Sequence, residues 1–260
     1  MKTLQYSELD GRPLQLDLYL PKKSLKNAVV VYVHGGAWRS GSRKSLPIKG
    51  LLDHGYPIAS VDYSLTPQAS FPQNIHDIKG AIRFLRAHGK ELNIFVEKVV
   101  IIGSSAGGHL ASLVGVTNNH KGLEGEIGGN GNLSSSVQGI VSFYGASNLT
   151  TILSQSTPHG LRVRGPALEL LLGGQPDKKK VEAELASPVF HIDHGDPPLL
   201  LIHGDQDNQM PVNQSLELFG KYKEKHLKVD LEIIHGGAHG GGEFYSDKII
   251  NKILKFIEGI

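Results

Sequence analysis

Short runs of apolar residues recur along the chain and differ in how polar residues interrupt them. The first two runs, residues 4–9 and 14–20, alternate apolar with polar side chains around an Asp10-Gly11 turn, which predicts an antiparallel hairpin. The later runs are almost continuously apolar and rich in Val and Ile, as strands covered on both faces require. They predict strands at 28–33, 57–61, 98–102, 138–143, 199–202 and 229–234.

Between these runs, apolar residues recur at intervals of three and four, which is the period of an amphipathic helix. The clearest example is 75–85, and the others are 105–116, 212–225 and 243–257. Two shorter helices, 166–172 and 177–185, fall in a weakly patterned segment, 146–194, that predicts a small cap-like insertion. The glycine-rich residues 118–133 predict a long surface loop.

Strands that alternate with helices predict an α/β fold with a mostly parallel, twisted sheet of about eight strands and helices on both faces. No internal repeat or Pro-rich linker divides the chain, so we expect one domain over residues 1–260.

Composition narrows the class of protein. A hydrophobic fraction of 39% with a net charge of +2 is typical of a globular protein and gives no reason to expect nucleic acid as a partner. Cysteine is absent, which excludes disulfides, thiolate zinc sites and cysteine nucleophiles. The apolar runs are too short to span a membrane, and polar residues interrupt the first ten positions. We therefore expect a cytoplasmic protein without a membrane partner.

The strongest chemical signal is the motif Gly103-Ser-Ser105-Ala-Gly107, which follows an apolar run and precedes a helical segment. A G-x-S-x-G sequence in that context predicts a nucleophile elbow, where glycines allow a sharp strand-to-helix turn that exposes the serine hydroxyl. The N–H of Ala106 would then point at a developing oxyanion. A phosphate loop and a dinucleotide fingerprint both fail, because Ser105 replaces a required glycine and no Gly-Lys-Ser/Thr ending follows.

A serine nucleophile needs a histidine base and a carboxylate that orients the base. Two later strands each end in candidates: Asp205 and Asp207 after the run 199–202, and His235 and His239 after the run 229–234. Asp207 is preferred because it lies further into its loop, and His239 because its glycine-flanked turn can reach across the sheet edge. The His235/His239 spacing also allows a zinc site, but the intervening Gly-Gly-Ala does not favour the helix such a pair needs.

A further strand ends in His34-Gly35-Gly36-Ala37-Trp38, where backbone N–H groups can complete an oxyanion hole. Trp38 either packs beneath this loop or lines the substrate pocket, and we keep it as a candidate pocket residue.

Taken together, these motifs resemble α/β-hydrolase carboxylesterases of the hormone-sensitive-lipase-like group, most closely the bacterial acetylxylan and feruloyl esterase branch called BD-FAE. The resemblance runs through His34–Trp38, Asp62-Tyr-Ser-Leu65, Phe71-Pro72 with Asp77 downstream, Gly103–His109, His203–Asp207 and Gly237-Ala-His239-Gly, in that order. It implies Ser105 as nucleophile, Asp207 as acid, His239 as base, and Gly35, Gly36 and Ala106 as oxyanion donors.

Three departures from the family pattern stand out. Ser64 replaces the usual arginine of Asp-Tyr-Arg-Leu, which removes a structural ion pair, and Ala37 replaces a glycine beside the oxyanion loop. The third is the expected lack of an N-terminal cap like that of the lipase-like relatives, and we therefore also expect an open cleft.

The sequence thus predicts a serine hydrolase of carboxylic esters that acts through an acyl-enzyme, without metal or organic cofactor, on a small-molecule ester or an acylated carbohydrate. An amide hydrolase, either an arylformamidase or a small peptidase, would carry the same motifs. A non-catalytic binding protein on the same scaffold would not need to keep all three of Ser105, Asp207 and His239.

Overall fold

A computed structural model describes residues 1–22, 25–118 and 120–260 of the chain. Within those ranges one sheet of eight strands forms the centre of the molecule. The strands are β1 Lys2–Leu9, β2 Arg12–Tyr19, β3 Val29–Val33, β4 Ile58–Val61, β5 Val99–Ser104, β6 Gly139–Phe143, β7 Leu199–Gly204 and β8 Val229–Ile234. Their order across the sheet is β1-β2-β4-β3-β5-β6-β7-β8.

The first two strands form the predicted hairpin. Asp10 and Gly11 both have positive φ, 51° and 74°, which is the backbone of the two-residue turn that matches the twist of paired strands. β2 then pairs antiparallel with β4, and the pairs from β4 to β8 are parallel. The carboxyl ends of β3 and β5 to β8 therefore lie along one edge of the sheet.

Helices cover both faces of the sheet. They are α1 Gln73–Leu92, α2 Ala106–Val116, α3 Lys121–Glu124, α4 Ile152–Gln155, α5 Pro158–Leu172, α6 Lys180–Leu185, α7 Asn213–Glu224 and α8 Asp247–Glu258, with 3₁₀ turns at Lys49–His54, Pro188–Phe190 and Gly242–Tyr245. Alternate residues of the buried strands enter two apolar layers: Val29, Val31 and Val33 face one, and Val30 and Tyr32 face the other. The predicted fold class, an α/β-hydrolase sheet with an N-terminal hairpin, is confirmed.

Several helix boundaries differ from the predicted ones. α1 continues seven residues beyond the predicted end at 85, and α5 begins at Pro158, well before the predicted start at 166. The predicted helix 243–257 is divided at Ser246 into a 3₁₀ turn and α8. The start of α5 is set by Thr157, whose hydroxyl accepts from the N–H of Gly160, and by Pro158 at the first helical position.

The predicted surface loop at 118–133 is irregular and at least partly exposed over most of its described length, but it also contains the short helix α3, and Asn119 lies outside the described residues. The segment also anchors two buried cations of α1. Lys79 Nζ lies 2.6 Å and Arg83 Nη1 lies 3.4 Å from the carboxylate of Glu124. Because a buried charge needs a partner, these contacts hold the segment against the helix.

Segment 146–194 holds α4, α5, α6 and a 3₁₀ turn between β6 and β7. The single-domain organisation and the cap-like character of this segment stay predictions. Among the described residues, no helix has the length and apolar character needed to cross a bilayer. The cytoplasmic location also stays a prediction.

Candidate active site

The candidate residues come together at the carboxyl edge of the sheet. Ser105 follows β5 directly, Asp207 follows β7, and His239 lies on the loop after β8. Because β5, β6, β7 and β8 are successive parallel neighbours, three segments far apart in sequence meet at one place.

Ser105 lies in strained backbone at the turn from β5 into α2. Its φ of 54° and ψ of −119° are rarely adopted by a residue with a side chain. The turn is held on both sides, since its N–H donates to the carbonyl of Phe143 and its carbonyl accepts from the N–H of His109. A Cβ at Gly103 would lie 2.1 Å from the carbonyl oxygen of Gly107, so the two motif glycines permit this close approach.

His239 connects the serine to the acid. Its Nε2 lies 2.8 Å from Ser105 Oγ, and its Nδ1 lies 2.6 Å from Asp207 Oδ2. With Nδ1–H donating to the carboxylate, Nε2 carries the lone pair that accepts the serine proton. The ring also packs at 60° against Tyr144, with the ring centroids 4.8 Å apart.

The carboxylate of Asp207 is buried and fully hydrogen-bonded. Oδ1 accepts from the backbone N–H groups of Gln209 and Met210 at 2.9 and 2.8 Å, while His203 Nε2 lies 3.4 Å from Oδ2. Burial alone would raise the pKa of Asp207, but the hydrogen bonds from His203 and His239 outweigh it and hold this pKa well below its usual range. The group therefore stays ionised wherever the site operates.

The two alternative residues form a separate pair. Asp205 Oδ2 lies 2.9 Å from His235 Nδ1, and its other oxygen accepts from the N–H of Gly236. The His235 side chain is 87% exposed. Both ring nitrogens of His239 are hydrogen-bonded, Nε2 to Ser105 and Nδ1 to Asp207. His239 therefore has no free nitrogen with which to bind a metal ion together with His235. Over the described ranges, no group of three or more His, Cys, Asp or Glu residues has metal-binding geometry.

The candidate oxyanion donors lie beside the serine. Ala106 is the first residue of α2, where a backbone N–H has no acceptor within the helix. A Cβ at Gly35 would lie 2.8 Å from the carbonyl oxygen of Ser104 and 3.3 Å from Ser105 Cβ, which places this loop against the elbow. Gly36, with φ of 120°, lines the cleft together with Ser105 and His239.

The structure contradicts the prediction that Trp38 lines the pocket. The side chain is 0% exposed, and its Nε1–H donates to Nδ1 of His109 at 3.1 Å. His109 in turn donates from Nε2 to the carbonyl of Ala186 at 2.7 Å. Trp38 thus packs beneath the oxyanion loop, because its indole N–H finds a partner in the core rather than in the cleft.

Asp77, whose carboxylate contacts the backbone of Ser64, is buried without a Lys or Arg partner among the described residues. Its carboxylate accepts from the N–H of Ser64 at 2.7 Å and from Gln73 Nε2 at 2.8 Å. No Lys or Arg of the described chain lies within 4 Å of it. Burial consequently raises the pKa of Asp77 despite these hydrogen bonds.

A cleft of about 370 Å³ opens at Ser105. It is lined by Gly36, Ala37, Arg39, Ser40, Ser104, Ser105, Tyr144, Val163, Arg164, Gln209 and His239. Larger grooves lie elsewhere on the molecule, such as one of about 620 Å³ against α8. That groove is not lined by Ser105, Asp207 or His239, and its Lys252 is paired with Asp230 and Glu232.

Several of these lining residues were not predicted from the sequence. Tyr144 directly follows β6, so its position at the strand end was an available signal. Its hydroxyl lies 2.7 Å from that of Tyr245, and burial raises its pKa to about 12, so it stays a neutral ring against His239. Arg164 lies inside α5, in a segment without clear periodicity, and no sequence motif marked it.

Comparisons with known proteins show which family the chain belongs to. The family model described as BD-FAE matches residues 16–222. The probable carboxylic ester hydrolase LipM of Mycobacterium tuberculosis is 31% identical over 219 residues, which cover 82% of this chain and 49% of that protein. The chain spans about half the length of the curated relatives it matches.

Solved structures give the same result over the whole chain. A truncated carbohydrate esterase from gut microbiota superposes with a TM-score of 0.89 at 27% identity, covering 100% of this chain and 96% of that one. A bifunctional GH43-CE protein of Bacteroides eggerthii gives a TM-score of 0.88 at 29% identity, covering 99% of this chain and 35% of that one. With the family model spanning most of its length, this chain belongs to the BD-FAE family of α/β-hydrolases.

Proposed function

We propose that the protein is a serine hydrolase that cleaves carboxylic esters through an acyl-enzyme. The observation that carries the proposal is the continuous hydrogen-bonded series from Ser105 Oγ through His239 to Asp207, with distances of 2.8 and 2.6 Å. Esterase relatives and the carbohydrate esterase structures support the same reaction class.

In the acylation step, His239 Nε2 takes the proton of Ser105 while Oγ attacks the ester carbonyl carbon. The carbonyl electrons move onto oxygen, and the N–H groups of Ala106 and the Gly35–Gly36 loop are the donors that stabilise this oxyanion. The tetrahedral intermediate collapses as the alcohol leaves with the proton from His239. Asp207 remains ionised and stabilises the imidazolium throughout.

In the deacylation step, a water molecule takes the position of the departed alcohol. His239 accepts a proton from the water, whose oxygen attacks the acyl carbon, and the same donors stabilise the second oxyanion. Collapse releases the carboxylic acid and returns the proton to Ser105. The mechanism requires neither a metal nor an organic cofactor.

The substrate class that we propose is a short acyl ester, including acetyl or feruloyl groups on plant polysaccharide. The support is the family assignment, the carbohydrate esterase among the structural relatives, and a cleft of about 370 Å³, which suits a small acyl group. An amide substrate would use the same residues, so the assay must include one.

The direct test is Ser105→Ala, compared with Ser154→Ala. Ser154 is an exposed serine whose hydroxyl donates to the carbonyl of Thr151. We expect Ser105→Ala to lower kcat on aryl acetates by a factor on the order of 10⁶ while thermal unfolding stays cooperative. Ser154→Ala should retain both activity and labelling by a fluorophosphonate. Unchanged turnover in Ser105→Ala would show that another group performs the chemistry.

Substrate class is tested by comparing kcat/KM across aryl acetate, butyrate and octanoate, methyl ferulate, acetylated xylan, a formyl anilide and a short peptide. We expect the short esters to be the fastest. Faster hydrolysis of the formyl anilide or the peptide would instead identify an amide hydrolase with the same three residues.

A further inference from the structure

An arginine that the esterase mechanism does not use is buried beside the cleft. Arg164, on α5, is 1% exposed and is one of the residues that line the cleft with Ser105 and His239. Its Nε donates to the carbonyl of Gln209 at 3.2 Å, but its buried Nη2 has no hydrogen-bond partner among the described residues. A buried guanidinium nitrogen without a partner is costly, because its N–H groups have lost the water that would otherwise bind them.

The surrounding charges do not neutralise Arg164. Asp207 is the acidic group that acts on it, yet the oxygens of Asp207 are occupied by His239 and by the N–H groups of Gln209 and Met210. Over the described ranges, no carboxylate lies within 4 Å of Arg164. Burial lowers the pKa of Arg164 to about 10, with Asp207 raising it and Arg39 lowering it, so the group is cationic at neutral pH.

The cleft also carries a second cation and no acid. Arg39, an exposed residue directly after the His34–Trp38 motif, also lines the cleft, and no acidic side chain of the described residues does. Two positive charges that face one small space repel each other, and an anion bound between them removes that repulsion.

We propose that Arg164 and Arg39 form an anion subsite beside Ser105 and that the preferred ester carries a carboxylate on its acid part or its alcohol part. This inference rests on the proposed function. The guanidinium group is planar and presents paired N–H donors, which matches the two oxygens of a carboxylate. A carboxylate bound in the cleft pairs with the guanidinium charge of Arg164, one of the residues that line it, and fixes the ester relative to Ser105.

A purely structural role for Arg164 makes a different prediction. Its bond to the Gln209 carbonyl tethers the turn that holds Asp207, so losing the side chain would then slow all esters equally. An anion subsite instead changes the ratio of kcat/KM between an anionic ester and its neutral counterpart. The ratio therefore separates the two roles.

The experiment uses two matched pairs of substrates. 4-Acetoxybenzoate against 4-acetoxybenzamide places the charge on the alcohol part, and the mono-4-nitrophenyl ester of adipate against 4-nitrophenyl hexanoate places it on the acyl part. We expect the wild-type protein to favour the anionic member of at least one pair, and the pair affected identifies which part of the ester carries the charge.

In Arg164→Gln we expect that anionic preference to fall roughly 10- to 100-fold, the factor for a lost hydrogen bond to a charged group. Arg164→Lys should recover part of it and Arg39→Gln should lose less. Arg162→Gln is the matched control, since Arg162 is an exposed arginine of the same helix that does not line the cleft. An unaltered ratio in Arg164→Gln, or no anionic preference in the wild-type protein, overturns the proposal.

If Arg164→Gln does not unfold cooperatively, the wild-type protein supplies the answer. Benzoate should then inhibit hydrolysis of the neutral esters competitively at least tenfold more strongly than benzamide, and Arg39→Gln should reduce that difference. Equal inhibition by the two compounds rejects the subsite. Turnover of the neutral esters that depends on Ser105 tests the hydrolase function separately, so either proposal can fail alone.

Discussion

The two oxygens of Asp207 are held by different parts of the molecule. Oδ2 faces His239, whereas Oδ1 accepts two backbone N–H groups of its own turn. Asp205, only two residues earlier, pairs with the exposed His235 instead. Asp205 and Asp207 are thus only two residues apart but lie in different environments. The carboxylate of Asp207 is buried and fully hydrogen-bonded, whereas that of Asp205 pairs with an exposed histidine.

Replacing each of the two acids by asparagine should separate their roles, with Asp205 serving as the control for Asp207. In Asp207→Asn we expect kcat to fall by a factor on the order of 10⁴, because a neutral amide favours the wrong tautomer of His239. Asp205→Asn should remain close to wild type. Steady-state kinetics on one aryl acetate measures both variants, and a larger loss in Asp205→Asn would reverse the assignment of the acid.

At the scale of elements, the turns that end the strands are tightly packed. A Cβ at Gly107 would lie 2.1 Å from the carbonyl oxygen of Val33, because the first turn of α2 crosses close to the end of β3. Gly220, in α7, has open space around the same position. Close packing therefore requires a glycine at position 107 in the elbow, whereas the space around position 220 on α7 would admit a larger side chain.

Replacing these two glycines by alanine should change stability in opposite directions. Gly107→Ala should lower the free energy of unfolding by about 1–3 kcal/mol, since the elbow must shift to admit a methyl group. Gly220→Ala should raise it by about 0.5–1 kcal/mol through helix propensity. Urea denaturation of both variants tests this, and stabilisation by Gly107→Ala would disprove the close packing.

The elements that carry the site were the ones with the clearest sequence patterns. Continuous Val and Ile runs predicted the buried strands, and the ends of those strands gave Ser105, Asp207 and His239 as candidates. The sequence patterns did not predict features that depend on contacts between distant segments of the chain. Glu124 is ordered by buried cations of α1, and Arg164 is buried by packing of an insertion whose helix period is weak. Neither contact leaves a local signature in the sequence.

At the scale of the whole molecule, the order of strands in the sheet brings the site residues together. The stability of the fold also depends on titratable groups far from the site. Asp196 lies half-buried before β7, and its carboxylate accepts from the N–H of Asp193 at 2.9 Å. Burial raises the pKa of Asp196 to about 7, with the charge of Asp193 acting in the same direction. The folded state therefore binds a proton that the unfolded state releases near its ordinary pKa of about 4.

The free energy of unfolding depends on pH because the folded and unfolded states bind different numbers of protons. Between about pH 4 and pH 7 the folded protein holds more protons than the unfolded chain, so this group's contribution to stability is present at low pH and is lost as the pH rises through 7. Asp196→Asn should thus gain in melting temperature over wild type between pH 5 and pH 8, by roughly 2 °C because water screens a half-buried charge. A difference that shrinks over this interval would contradict the assignment.

The burial of Trp38 has an optical consequence. It is the only tryptophan of the chain, and its indole is hydrogen-bonded to His109 directly beneath the loop that faces Ser105. Indole emission responds to its immediate surroundings, so the tryptophan fluorescence of this protein is a local signal rather than an average over many positions. We expect formation and decay of the proposed acyl-enzyme to change that emission, so that stopped flow can follow both steps with no dye attached to the protein.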